Sequence, residues 1–235
     1  MQCSSCKQQR LFLTKSAGLT LHCRHCGWTE KYHPPSYDHY HEQKYSYRRL
    51  RTPKNDPMLQ KIITLFPDFT SRSSLLDYGC GAGDYAIHFS SISKHIVGVD
   101  RDIKQAKKSS AQVTWLASES AKIPLPSNSF DFVICVNVIE HMFNFDMTMK
   151  ELHRVLKPGG KLFITTYDTN FILHSILYDS THVYEWTGQE FTRYVGTYFS
   201  VLQSFNYGTF FNYYPANFLI KEILKPELCV LAQKH

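Results

Sequence analysis

Three glycines at alternate positions, Gly79, Gly81 and Gly83, stand in the run S-L-L-D-Y-G-C-G-A-G over residues 74–83, between Asp77 and Asp84. Leu75 and Leu76 read as the end of a buried strand, so the glycines fall in the turn that leaves it. A backbone without side chains can approach a bound ligand closely there. Asp100 closes the next apolar run, 95–99, roughly twenty residues further on. A carboxylate in that place can accept hydrogen bonds from both ribose hydroxyls of an adenosine. The glycine spacing is not the G-x-G-x-x-G that sets a pyrophosphate on a helix N-terminus. Asp77 and Asp84 would repel a phosphate and attract a cation. The pattern therefore selects adenosine joined to a cationic group, and S-adenosylmethionine, with its sulfonium and α-amino groups, fits.

A second constellation opens the chain. Cys3 and Cys6 form one C-x-x-C pair and Cys23 and Cys26 another, with sixteen residues between the pairs. This is the spacing of a zinc ribbon, in which two tight turns each offer two thiolates to a tetrahedral ion. The runs 10–14 and 19–22 would form a hairpin joining the turns. Four reduced, unrelated thiols are the alternative; disulfides do not suit a cytosolic chain. His22 and His25 flank the second pair, but four paired cysteines need no further ligand. A closed set of thiolates leaves no position for water or substrate, so the Zn2+ would be structural.

The chain resembles the class I S-adenosylmethionine-dependent methyltransferases. Within them it is most similar to the broad group that contains the ubiquinone-biosynthesis O-methyltransferases and many small-molecule methyltransferases. The resemblance covers residues 57–189 and rests on L-L-D-Y-G-C-G-A-G, V-G-V-D-R-D, I-P-L-P-S-N-S-F-D, V-I-E-H and V-L-K-P-G-G, in that order. It implies an α/β, Rossmann-like fold whose seven-stranded sheet is parallel with one antiparallel strand. It implies cofactor contacts from Asp77, Tyr78, Gly79, Cys80, Gly81 and Gly83 at the turn and from Asp100 and Arg101 after the second strand. Glu119 would accept from the adenine amino group, where the family more often has Asp, and the Ser120 amide would meet the ring nitrogen. Asn137 and Val138 would lie by the methionine part. His141, at the end of a strand, could act as a general base or could bond a neighbouring loop. The segment S-T-H-V-Y-E-W-T-G-Q-E-F resembles the His-containing stretch that leads into a helix in the ubiquinone group. It would bring His182, Tyr184, Glu185 and Trp186 to the acceptor pocket, with His182 a second candidate base.

These residues need a frame of alternating strands and helices. Apolar periodicity predicts helices over 56–66, 85–92, 102–110 and 148–156, and strands ending at 77 and spanning 95–99, 113–117, 130–137 and 161–167. Strands over 201–207 and 227–232 would close the sheet as an antiparallel pair. Pro57 suits a first helical turn, Asp100 or Asp102 would cap the helix after the second strand, and K-P-G-G would stop a helix and turn. Thr187 with Glu190 reads as a capping box. Cys80, Cys135 and Cys229 read as buried small residues.

The 235 residues allow one good-sized domain and a small appendage, divided here as a ribbon (1–32), an arm (33–55) and a methyltransferase domain (56–235). Apolar residues make up 43% and the mean hydropathy is −0.31, as in a core-forming protein, and no apolar run reaches the ~20 residues of a membrane span. The start lacks a secretory pattern, so a cytoplasmic location is expected. The formal charge is +6, and ten of the 26 Lys and Arg but only three of the 20 Asp and Glu lie in residues 1–54. Tyrosines interleave with Lys44, Arg48, Arg49, Arg51 and Lys54 in the arm, which could meet RNA or a flat anion, or pack on the neighbouring domain. Three functions remain open: methylation of a small-molecule hydroxyl, methylation of an RNA base, and cofactor-dependent binding without catalysis.

Overall fold

A computed structural model describes residues 11–14, 20–23, 29–31, 56–104, 106–108, 111–118, 122–170, 182–207 and 227–235. Cys3, Cys6, Cys26, Glu119, Ser120 and the whole arm lie outside them, as do the expected domain boundaries. Strands β1 (Leu11–Thr14), β2 (Thr20–Cys23) and β3 (Thr29–Lys31) form an antiparallel sheet in that order. The register of β1 on β2 pairs Leu11 with Cys23 and Thr14 with Thr20, the hairpin expected from the sequence.

The second sheet has seven strands: β4 (Ser74–Tyr78), β5 (His95–Asp100), β6 (Thr114–Ala117), β7 (Phe130–Val136), β8 (Leu156–Tyr167), β9 (Ser200–Tyr207) and β10 (Glu227–Gln233). Their order across the sheet is β6-β5-β4-β7-β8-β10-β9. Only β10 runs against its neighbours β8 and β9. This is the expected mixed Rossmann-like sheet. The order reverses between β4 and β7, the switch point at whose carboxyl ends open α/β sheets bind ligands.

Alternate residues of the central strands face opposite layers. Leu75, Phe132, Ile134 and Phe163 join one buried cluster, with α1 (Pro57–Leu65) and α2 (Asp84–Ser90) supplying Met58, Leu59, Ile62 and Phe89. Leu76, Val133, Leu162 and Ile164 join the other, beneath α3 (Phe145–Val155) and α4 (Gly188–Gly196). Helix α1 starts where Asp56 accepts from the Met58 and Leu59 amides at 2.9 and 3.1 Å, with Pro57 in the first turn. No helix among the described residues is long and apolar enough to cross a membrane.

Three local expectations are corrected. No α-helix follows β5 among the described residues, only a 3-10 turn at Ala106–Lys108. Asp100 accepts from the Asp102 amide and Asp102 from the Lys104 amide, each at 2.9 Å. Both bonds are of the capping kind expected, but the described turn that follows is 3-10 rather than α. Helix α3 begins at Phe145 rather than Thr148, because Asn144 accepts from the Met147 amide at 3.1 Å and caps an earlier turn. Lys157–Gly160 opens β8, where the pairing with β7 shifts register and Gly159 takes φ +76°.

Candidate active site

The turn after β4 is built around glycine. Gly79, Gly81 and Gly83 have φ of +75°, +53° and +84°, in the region that side chains disfavour. A Cβ on Gly79 would run into both Val138 methyl groups, with Cγ1 at 2.7 Å, and one on Gly83 would run into the Trp115 ring, with Cζ3 at 2.9 Å. Trp115 also fills the space beside Gly98, so its ring braces the turn against β5. The Gly79 amide donates to the Val99 carbonyl at 2.7 Å, and the Gly81 amide donates to Asp100 Oδ2 at 2.7 Å. Asp100 is thereby held against the turn, and each carboxylate oxygen keeps acceptor capacity for a ribose hydroxyl.

Acidic groups crowd this turn. Asp77 is buried and accepts from the Ala86 amide at 3.1 Å, and Asp84 is buried at the start of α2. Burial raises the Asp77 carboxyl to about 7 against the lowering effect of that amide, and the charges of Asp100 and Asp84 push it the same way as burial. A cation among these acids would relieve the crowding, whereas a phosphate would add to it. The turn therefore fits S-adenosylmethionine on charge as well as on backbone space. Tyr78 contributes only main chain, because its side chain is buried against Thr148. Burial pushes the Cys80 thiol up, with Asp77 and Asp100 adding to the effect, so it stays protonated. Arg101 is exposed beside Asp100.

The other half of the site comes from β7 and β8. Asn137 takes φ +54°; its amide donates to Thr165 Oγ1 at 3.1 Å, and its Oδ1 accepts from that hydroxyl at 2.9 Å. Val138 closes on Gly79, which brings the loop after β7 against the cofactor turn. The chain then makes a 3-10 turn, Ile139–His141. Glu140 in this turn is fully buried; its Oε2 accepts from Thr166 Oγ1 at 3.2 Å, while Oε1 has no hydrogen-bond partner among the described residues. Burial raises the Glu140 carboxyl to about 7, with His182 and the Thr166 hydroxyl pulling the other way.

The segment 182–187 docks on that turn. The Val183 and Tyr184 amides donate to the Glu140 carbonyl at 2.7 and 3.2 Å, and Asp168 forms a β-bridge with Trp186. The capping box of Thr187 and Glu190 starts α4 as expected. His182 is thus carried to His141, with ring centroids 5.0 Å apart and planes at 67°, and it stacks on Tyr167 at 5.2 Å. Tyr184 and Trp186 turn instead into an aromatic cluster with Phe145. Sequence reasoning named His141 and His182 separately but not their meeting, and it gave no role to the buried Glu140. One atom each of Glu140, His141 and His182 lie within 4.8 Å of one another.

A separate cavity of about 450 Å3, lined by Arg72, Lys94, His95 and Lys157 among others, lies at the opposite, amino-terminal edge of the strands. It takes no part in this site.

Comparison with known proteins decides the family. A methyltransferase domain model matches residues 38–223. The chain belongs to the methyltransferase domain family. A probable S-adenosylmethionine-dependent methyltransferase of Mycolicibacterium smegmatis is 30% identical over 95 residues, 39% of this chain and 37% of that protein. A tRNA (carboxymethyluridine(34)-5-O)-methyltransferase of Schizosaccharomyces pombe is 32% identical over 108 residues, 45% of each chain. The chain thus spans less than half the length of either relative. Among solved structures, an S-adenosylmethionine-dependent methyltransferase from Mesorhizobium loti superposes with a TM-score of 0.60 at 16% identity, covering 75% of this chain and 96% of that one. That likeness speaks for the fold alone.

Proposed function

We propose that the chain transfers a methyl group from S-adenosylmethionine to a hydroxyl of a compact, small-molecule acceptor. The observation that carries this reading is the pair of imidazoles, His141 and His182, next to Val138 and hence to the glycine turn. When bound, S-adenosylmethionine supplies an electrophilic methyl group on a sulfonium. What the protein adds is positioning and exclusion of water. The main chain of Gly79–Gly83 and the Asp100 carboxylate hold the adenosine side; Asn137 and Val138 border the methionine side; Glu119 and the Ser120 amide are assigned to the adenine. An imidazole base matters only where the nucleophile must lose a proton, as a hydroxyl must and a free amine need not. His182, buried beside the half-buried His141, is assigned that task.

A second reading, methylation of RNA, is favoured by the tRNA-acting relative and by the basic residues before position 55. For the N-terminal sheet we propose one structural zinc on Cys3, Cys6, Cys23 and Cys26. The antiparallel hairpin, with Cys23 as the last residue of β2, supports it. The acceptor class is tested by incubating the protein with S-adenosylmethionine carrying a tritiated methyl group and an extract of its native cells, then separating RNA from small molecules. Label in the small-molecule fraction, unaffected by ribonuclease, is expected. Label that sediments with RNA and is released by ribonuclease would move the assignment to RNA.

A further inference from the structure

Glu185 lies buried beside His182 with no role in the chemistry set out so far. Its Oε1 stands 2.6 Å from His182 Nδ1, and the two side chains are 2% and 5% exposed. Neither residue is free to swing. The amides of Val183 and Tyr184, between them in sequence, are tied to the Glu140 carbonyl, and the neighbouring Trp186 is bridged to Asp168. The stacked ring of Tyr167 and the edge contact of His141 set the plane of the His182 imidazole. A neutral imidazole has one protonated nitrogen and one bare nitrogen, and the partner of the first decides which is which.

We propose that Glu185 is a positioning residue that fixes His182 in the tautomer protonated at Nδ1, leaving the lone pair on Nε2 for the acceptor. This rests on the reading of His182 as the base. The Glu185 carboxylate accepts the Nδ1–H, and Nε2 becomes the atom that can take a hydroxyl proton. In that step the O–H bond breaks, an N–H bond forms at Nε2, and the oxygen keeps the electron pair. The resulting imidazolium faces a carboxylate already in hydrogen-bond contact, so its charge is met without movement of either side chain. Glu140, His141 and the stacked Tyr167 are the other titratable groups against the ring. Of the two acids, Glu185 is the one whose carboxylate stands in hydrogen-bond contact with Nδ1.

The test reads the proton directly and needs no acceptor. Protein labelled with nitrogen-15 histidine is examined by long-range proton–nitrogen correlation at about pH 8, where free imidazole is neutral. The His182 signals are assigned from the His182→Gln spectrum. The expected pattern is Nδ1 protonated and Nε2 bare in the wild type, giving way to a mixture of tautomers in Glu185→Leu. A wild-type ring protonated at Nε2 alone, or at both nitrogens, would overturn the proposal without recourse to any variant. In the methyl-incorporation assay, Glu185→Gln should lower kcat about tenfold or more while the KM for S-adenosylmethionine stays within about twofold. Unchanged kcat would also overturn it. S-adenosylmethionine binding by the wild type is measured in parallel. Failure there would count against the methyltransferase reading and leave the tautomer result to stand or fall by itself.

Discussion

Replacing Gly79 with alanine tests the architecture of the cofactor turn in two separable ways. The residue sits at φ +75°, where an L side chain costs roughly 1–2 kcal/mol. The new methyl group would also press on Val138, whose Cγ1 lies 2.7 Å from the ideal Cβ position and whose side chain is buried. Overpacking of this kind costs about 1–3 kcal/mol, so the total is about 2–5 kcal/mol. Against a typical stability of about 5–15 kcal/mol this is a large loss, visible in urea titration and as a Tm lower by roughly 5–15 °C. Shortening the neighbour separates the two parts. In a Val138→Ala background only the backbone part and a tight contact with the Cβ of residue 138, at 3.0 Å, remain, so the double-mutant cycle should show coupling of up to about 3 kcal/mol. The same cost in both backgrounds would mean that Val138 is not what the methyl group meets. No cost in either would mean that the turn does not hold the left-handed conformation on which the site depends.

Two further predictions concern protons and metal. The Glu140 carboxyl is raised in the folded state to about 7 from an ordinary 4.5, so its contribution is neutral below pH 4.5 and turns into a penalty as pH rises to 7. Glu140→Gln should therefore stabilise the protein by up to about 3 kcal/mol at pH 8 and by little at pH 4.5, compared by denaturant titration at the two values; equal effects at both would contradict it. Purified protein should carry one zinc per chain by elemental analysis, lost in the Cys3→Ser/Cys6→Ser double variant without loss of cofactor binding, and a metal-free wild type would dismiss the ribbon assignment.

Much of this fold could be read from the chain because several signals are local. Asp56 before Pro57, the glycine turn, and Thr187 with Glu190 each act within a few residues, and all three do in the structure what their chemistry demands. The expected helix over 102–110 does not form among the described residues. Asp100 and Asp102 each accept from the amide two residues ahead, as caps do, yet a 3-10 turn follows. What stayed hidden depends on distant partners. Nothing local says that Trp115 braces Gly83 and Gly98, or that Tyr78 turns into the core while its neighbours make a turn. The pairing of His182 with Glu185 is close in sequence, but its burial against Glu140 and His141 arises only when the loop docks on the end of β7. A sequence shows residues able to do chemistry; which of them lose water, and so change their acidity, is settled by packing.

The central claim is that the glycine turn and Asp100 hold S-adenosylmethionine. Calorimetric titration of the purified chain with S-adenosylmethionine tests it most directly. The wild type should bind one equivalent, and Asp100→Ala should weaken binding by about 3–6 kcal/mol, since the two ribose hydrogen bonds to a charged acceptor contribute roughly 1.5–3 kcal/mol each. Part of that loss will come from freeing the Gly81 amide, so a melting curve of the variant without cofactor is taken alongside. Absence of binding by the wild type, or an affinity that Asp100→Ala leaves unchanged, would contradict the assignment of this turn as the cofactor site.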